Sequence, residues 1–163
     1  MIEINKMIND YITWLKSNIT YEILDEYVKI VTPFLNRHND SIQIYVKKID
    51  NNNYLLTDGG ETISDLSLSG IDITKNREKI ITQILNRYGA QLSDDNEITI
   101  IANKDNFPFK KHFLVQAILS VNDLFMTSRT NVLNLFTEEV ELFLKENKEE
   151  KKNGKQMVSK IRN

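Results

Sequence analysis

The sequence predicts an α+β fold: an N-terminal helix, a small antiparallel sheet with a central hairpin, and two to three C-terminal helices packed on it. Three observations carry this. Apolar residues recur at helical spacing near the N-terminus (Ile4, Ile8, Tyr11, Ile12, Leu15) and again after Pro108. Between them, Ser41–Ile49 alternates, with Ile42, Ile44 and Val46 on one side and Gln43, Tyr45 and Lys47 on the other. The turn cluster Asp50-Asn51-Asn52-Asn53 then returns the chain as Tyr54–Thr57, closing a hairpin.

Taken in order, the first helix runs from about Ile2 to Ser17. Ile19–Leu24 and Tyr27–Val31 are rich in β-formers and split by Asp25-Glu26, with Pro33 expected to stop the second strand. After the hairpin, Asp58-Gly59-Gly60 is a turn, and Glu61–Leu68 suits a short helix before Gly70. A longer helix follows over about Asn76–Tyr88, with Ile80, Ile81, Ile84, Leu85 and Tyr88 on one face and Gly89 as its stop. Gln91–Leu92 and Glu97–Ala102 read as two short strands around Ser93-Asp94-Asp95-Asn96. Pro108 marks the first turn of the next helix, which Phe113, Leu114, Ala117, Ile118, Val121, Leu124 and Phe125 carry to about Met126. A last helix is expected over about Asn131–Lys145, striped by Val132, Leu135, Phe136, Val140 and Phe143. From Glu146 the apolar pattern gives way to Lys, Glu, Asn and Gln, so residues 1–145 form one domain and 146–163 a charged tail expected to be disordered.

Composition narrows the chemistry. The absence of cysteine removes disulfides, thiolate nucleophiles and every zinc site that needs sulfur. With only His38 and His112, far apart in sequence, a histidine-rich metal site is excluded as well. No apolar run approaches a membrane span and Met1–Asn5 lacks the character of a leader, which places the expected location in the cytoplasm. The net charge of -2 hides an asymmetry: residues 145–163 carry a balance of +4, leaving -6 on residues 1–144. A body of that sign is opposite to one that grips a phosphate backbone.

Several segments resemble a known family. Thr32-Pro33-Phe34-Leu35-Asn36-Arg37-His38-Asn39-Asp40 with Ile42-Gln43-Ile44-Tyr45, Tyr54–Ile63, Asn106-Phe107-Pro108 and Ala117–Asp123 look like the bacterial and phage family catalogued as the domain of unknown function numbered 1828. The resemblance spans most of residues 1–145 and implies prophages, mobile elements and low-GC Gram-positive hosts, without an established activity. Longer members continue, past a segment like Glu138–Asn147, into a second domain numbered 1829. Here Lys148–Asn163 follows instead, which implies a stand-alone recognition or inhibitor module.

The polar motifs each carry two readings. Asn36-Arg37-His38-Asn39-Asp40 either contacts a partner or shapes the turn into the next strand. Asp58-Gly59-Gly60-Glu61 places two carboxylates three residues apart, but a metal-dependent nuclease needs a partner such as Glu-x-Lys on a neighbouring strand, and Glu97-Ile98-Thr99 lacks the lysine. The alternative is a glycine turn with Asp58 or Thr57 capping the helix behind it. Lys110, Lys111 and His112, near Phe107 and Phe109, make a thin basic and aromatic footprint. Neither histidine has a sequence-adjacent relay, Ser64, Ser67 and Ser69 lack a nucleophile-elbow frame, and the five glycines form no phosphate loop.

The chain therefore reads as a non-catalytic binding protein of phage or mobile-element origin, without cofactor or metal, that contacts a defence nuclease of CRISPR or restriction type. Its expected contact residues are Asn36, Arg37, His38, Asn39, Asp40, Asp58 and Glu61. The alternative is a nucleic-acid-recognition module using Arg37, Lys47, Lys48, Lys110 and Lys111, with His38 and the basic tail in support. A hydrolase built on Asp58 and Glu61 ranks below both. Exposed Phe136 or Phe143 would also suit a homodimer seam.

Overall fold

A computed structural model describes residues 2–71 and 73–124. The expected helix over 131–145, its Phe136 and Phe143 seam, and the charged tail lie outside the described residues.

The chain forms α1 (Ile2–Ser17), β1 (Thr20–Ile23), β2 (Val28–Leu35), β3 (Ser41–Lys48), β4 (Asn53–Thr57), α2 (Glu61–Leu68), α3 (Lys75–Arg87), β5 (Gln91–Leu92) and β6 (Ile98–Asn103). A further helix, α4, occupies residues 107–124. The α+β expectation holds. The strands make one six-stranded sheet in the order β1-β2-β3-β4-β6-β5, every neighbouring pair antiparallel.

The alternation read from β3 sets the two faces. One row across the sheet is apolar, Val28–Val46–Leu56–Ile100, and the next is polar, Lys29–Tyr45–Thr57–Thr99. The apolar face carries the core. Ile42, Ile44, Leu56, Ile98, Ile100 and Ala102 meet Ile63 and Leu66 of α2, Ile81 and Leu85 of α3, and Leu114, Ala117, Ile118 and Val121 of α4. Ile44 and Leu56 are fully buried, so truncating either to alanine costs about 2–5 kcal/mol.

Two elements depart from the sequence reading. β2 does not stop at Pro33 but continues to Leu35, with a register shift against β3 between Val31 and Leu35. The missing proline N–H falls at that irregularity, where no ladder bond is forfeited. Buried Thr32 restores a link there by donating its hydroxyl to the Ile42 carbonyl at 2.9 Å. The second departure is α1. Its apolar stripe is real, yet Ile4, Met7, Ile8, Tyr11, Ile12 and Trp14 are all exposed, and none of residues 3–17 enters the core cluster. Among the described residues, the helices seated on the sheet are α2, α3 and α4.

Candidate functional site

The two polar loops flanking the central hairpin meet at one end of the sheet. β3 begins there at Ser41, β4 ends there at Thr57, and β6 begins there at Ile98. Between these strand ends, α2 and α4, lies a small cleft lined by Asn36, Ser41, Gln43, Asp58, Glu61, Thr62, Asp65 and Asn122, with Ile42 and Ile118 beneath. Its interior of about 30 Å³ holds roughly two water molecules.

The 36–40 loop is built by its asparagines. Asn36 Oδ1 accepts from the N–H groups of His38 (2.8 Å) and Asp40 (3.0 Å), and Asn39 takes the left-handed conformation, φ 65°, that its side chain tolerates. Arg37 fastens this loop to α2. Its Nε donates to Asp65 Oδ2 at 2.7 Å, and its terminal nitrogen donates to the Asp65 carbonyl and the Ser69 hydroxyl. His38 Nε2 lies 2.9 Å from the other Asp65 carboxylate oxygen. The Arg37 guanidinium, and to a lesser degree His38, hold the Asp65 carboxyl below its ordinary range.

Asp58 is the most constrained polar residue of the site. It is buried, and its carboxylate accepts from three backbone N–H groups: Ile98 at 2.8 Å, Gly60 at 3.0 Å and Thr62 at 3.1 Å. Those bonds tie β4 to β6 and cap the first turn of α2 from outside the helix. Gly59 and Gly60 make this possible through left-handed backbone (φ 65° and 77°), and a Cβ at Gly59 would sit 3.1 Å from the Tyr45 ring. Thr57 donates to Glu97 at 2.7 Å and accepts from the Gly59 N–H. Both parts of the capping expectation for Asp58 therefore have a physical basis, with Thr57 serving the turn rather than the helix.

Glu61 is different. Desolvation raises its carboxyl above the ordinary value, the charge of Asp58 adds to this, and the Tyr45 hydroxyl offsets it in part. No group of three His, Asp or Glu residues suited to a metal ion occurs among the described residues. His38 acquires a carboxylate neighbour that sequence spacing did not indicate, but no hydroxyl nucleophile bonds it among the described residues.

Asn36, Asp58 and Glu61 thus line one cleft, with Arg37, His38, Asn39 and Asp40 in the loop beside it. The basic residues do not converge. Lys47 and Lys48 close β3, and Lys110 and Lys111 open α4, at the end of the sheet opposite Arg37. An eight-residue strand, roughly 23 Å, separates the Arg37 loop from Lys48. Lys47 is paired with Glu26 at 2.6 Å and lies over the Tyr27 ring, and desolvation lowers the Lys111 amine. Asn122, Gln43, Thr62 and Asp65 were not singled out as contacts from sequence. Asn122 left one trace: it follows Leu114 and Ile118 at intervals of four, a polar residue on the buried face of α4.

The family model described as "Domain of unknown function DUF1828" matches residues 32–121. That is more than half of the chain, and the protein belongs to this family. The match takes in both loops and nearly all of the described core while leaving α1 and β1 outside. No curated protein and no solved structure matches the chain. Among the described residues, no helix is long and apolar enough to cross a membrane.

Proposed function

We propose that this chain is a non-catalytic binding protein of phage or mobile-element origin, acting in host–phage conflict by gripping a protein component of a defence nuclease of CRISPR or restriction type. The observation that carries this reading is how the polar groups of the site are spent. Asp58, the strongest candidate for chemistry, is committed to three backbone N–H groups, and Arg37 is committed to Asp65. What remains outward is a rim of Asn39, Asp40 and Glu61, with the exposed His38 ring held against Asp65, around a cleft too small for a substrate. Preorganised polar loops on a fixed scaffold lower the ordering cost of a protein contact.

Direct binding to purified CRISPR and restriction nuclease complexes, with their cleavage measured in parallel, tests the reading. Binding with loss of cleavage is expected, weakened at least tenfold when His38, Asp40 and Glu61 are replaced together by alanine. Gel shifts at two salt concentrations test the nucleic-acid alternative in the same series. A salt-sensitive shift of DNA or RNA, with no nuclease bound, would replace the protein-binding reading with that one.

A further inference from the structure

We propose that the cleft receives the cationic tip of a lysine or arginine side chain from the protein partner, with Glu61 as counter-charge and Asn122 as the hydrogen-bonding group at its floor. This rests on the binding reading above and names what the site grips.

Asn122 is the first ground. It is 6% exposed, it lines the cleft, and its carboxamide has no hydrogen-bond partner among the described residues. The amide is not sealed from water, since no fully buried side-chain nitrogen or oxygen lacks a partner among the described residues. Whatever it bonds therefore reaches it through the cleft, where an apolar residue of similar size would need nothing. Asn122 also sits among Leu114, Ile118 and Val121, where the helix has every packing reason to carry leucine. Its presence there is explained by a group that comes to it through the cleft.

Charge gives the second ground and fixes the sign of the ligand. Asp65 is answered by Arg37, whereas Glu61 has no cationic partner among the described residues and lines the same cleft as the Asp58 carboxylate, whose charge it feels. Desolvation and Asp58 together disfavour the Glu61 anion, a penalty that an entering cation removes. An anion such as a phosphate meets two carboxylates here and is repelled. The Ser41 hydroxyl and the second lone pair of Gln43 Oε1, whose first is taken by the Tyr45 hydroxyl, add acceptors to the lining, which suits an ammonium or guanidinium group.

Size excludes larger ligands. About 30 Å³ accepts the end of one side chain, far below the roughly 300 Å³ at which cofactor and drug-sized sites begin. A bare metal ion would fit, but Asp58 already spends its carboxylate on three N–H groups. Proteins that handle nucleic acid present lysine and arginine outward, so a nuclease supplies the matching group.

Amide NMR of the ¹⁵N-labelled full chain provides the test. The probes are N-acetyl-lysine amide and N-acetyl-arginine amide, with N-acetyl-norleucine amide and magnesium chloride in parallel. Saturable shifts of the Asn122 side-chain amide and the Thr62 backbone amide are expected with a cationic probe and absent with norleucine. Glu61→Gln should weaken them at least tenfold, and Asn122→Leu, read at the Thr62 backbone amide alone, should abolish binding. Should Asn122→Leu not fold, the exposed Glu61→Gln decides alone. Absence of saturable shifts in the millimolar range overturns the inference, as do undiminished shifts in Glu61→Gln or the same shifts with magnesium alone. If neither probe binds while a nuclease is still held through His38 and Asp40, this inference fails and the binding reading stands.

Discussion

At the scale of single residues, two buried polar side chains of the cleft are opposites. Asp58 is satisfied by the protein, whereas the Asn122 amide has no protein partner among the described residues and is left to the solvent of the cleft. Asp58→Ala strands three N–H groups in the interior, and a loss of about 3 kcal/mol or more is expected from urea unfolding. Asn122→Leu should instead leave stability unchanged or raise it by about 1 kcal/mol, read as an equal or higher Tm. Glu61→Gln points the same way. A carboxyl raised in the fold costs stability above its folded value, so at neutral pH the variant should gain, by less than about 1 kcal/mol because the residue is exposed. Substitutions that stabilise a protein while stripping a site are the mark of residues kept for contact. The sequence made the Asp58 turn readable, since Asp-Gly-Gly after a strand has few other uses. Asn122 was not readable as a site residue, because its significance depends on β3 and α2 standing opposite it, which no local pattern encodes.

Among the elements, the joint between the 36–40 loop and α2 is the one whose pH response follows from its chemistry. Arg37 depresses the Asp65 carboxyl, so the pair contributes stability above the unfolded carboxyl value of about 4, and the contribution fades as pH falls through the lower folded value. The stability deficit of Asp65→Asn should therefore be about 1–2 kcal/mol at neutral pH and shrink towards zero in acid, measured as urea midpoints across pH. Most elements were legible from periodicity: α2, β5 and the hairpin lie where the pattern puts them, and α3 begins one residue early because Thr74 caps it. Pro33 misled for a definable reason. Proline forbids a ladder N–H, but a strand that shifts register at that point loses nothing by carrying it. The Arg37–Asp65 clasp was illegible because its partners lie 28 residues apart and meet only once α2 docks.

For the whole molecule, core and periphery divide cleanly among the described residues. α1 contributes nothing to the buried cluster, and Tyr21 and Ile23 of β1 remain exposed although they share the apolar side of the sheet. Deleting residues 2–17 should accordingly leave a cooperative unfolding transition with its urea midpoint little changed, followed by circular dichroism. The family match, which starts at Thr32, follows the same division. The cleft, by contrast, draws on both ends of the core: Asn36 to Asp65 come from one stretch of chain, and Ile118 and Asn122 from a helix about fifty residues further on. Only the completed fold contains it, and a chain in which α4 has detached keeps its loops but has no floor beneath them. Any occupant of the cleft therefore binds the native state to the exclusion of partly unfolded ones, and by mass action it holds α4 in place. Partner capture and resistance to proteolysis become two readings of one equilibrium.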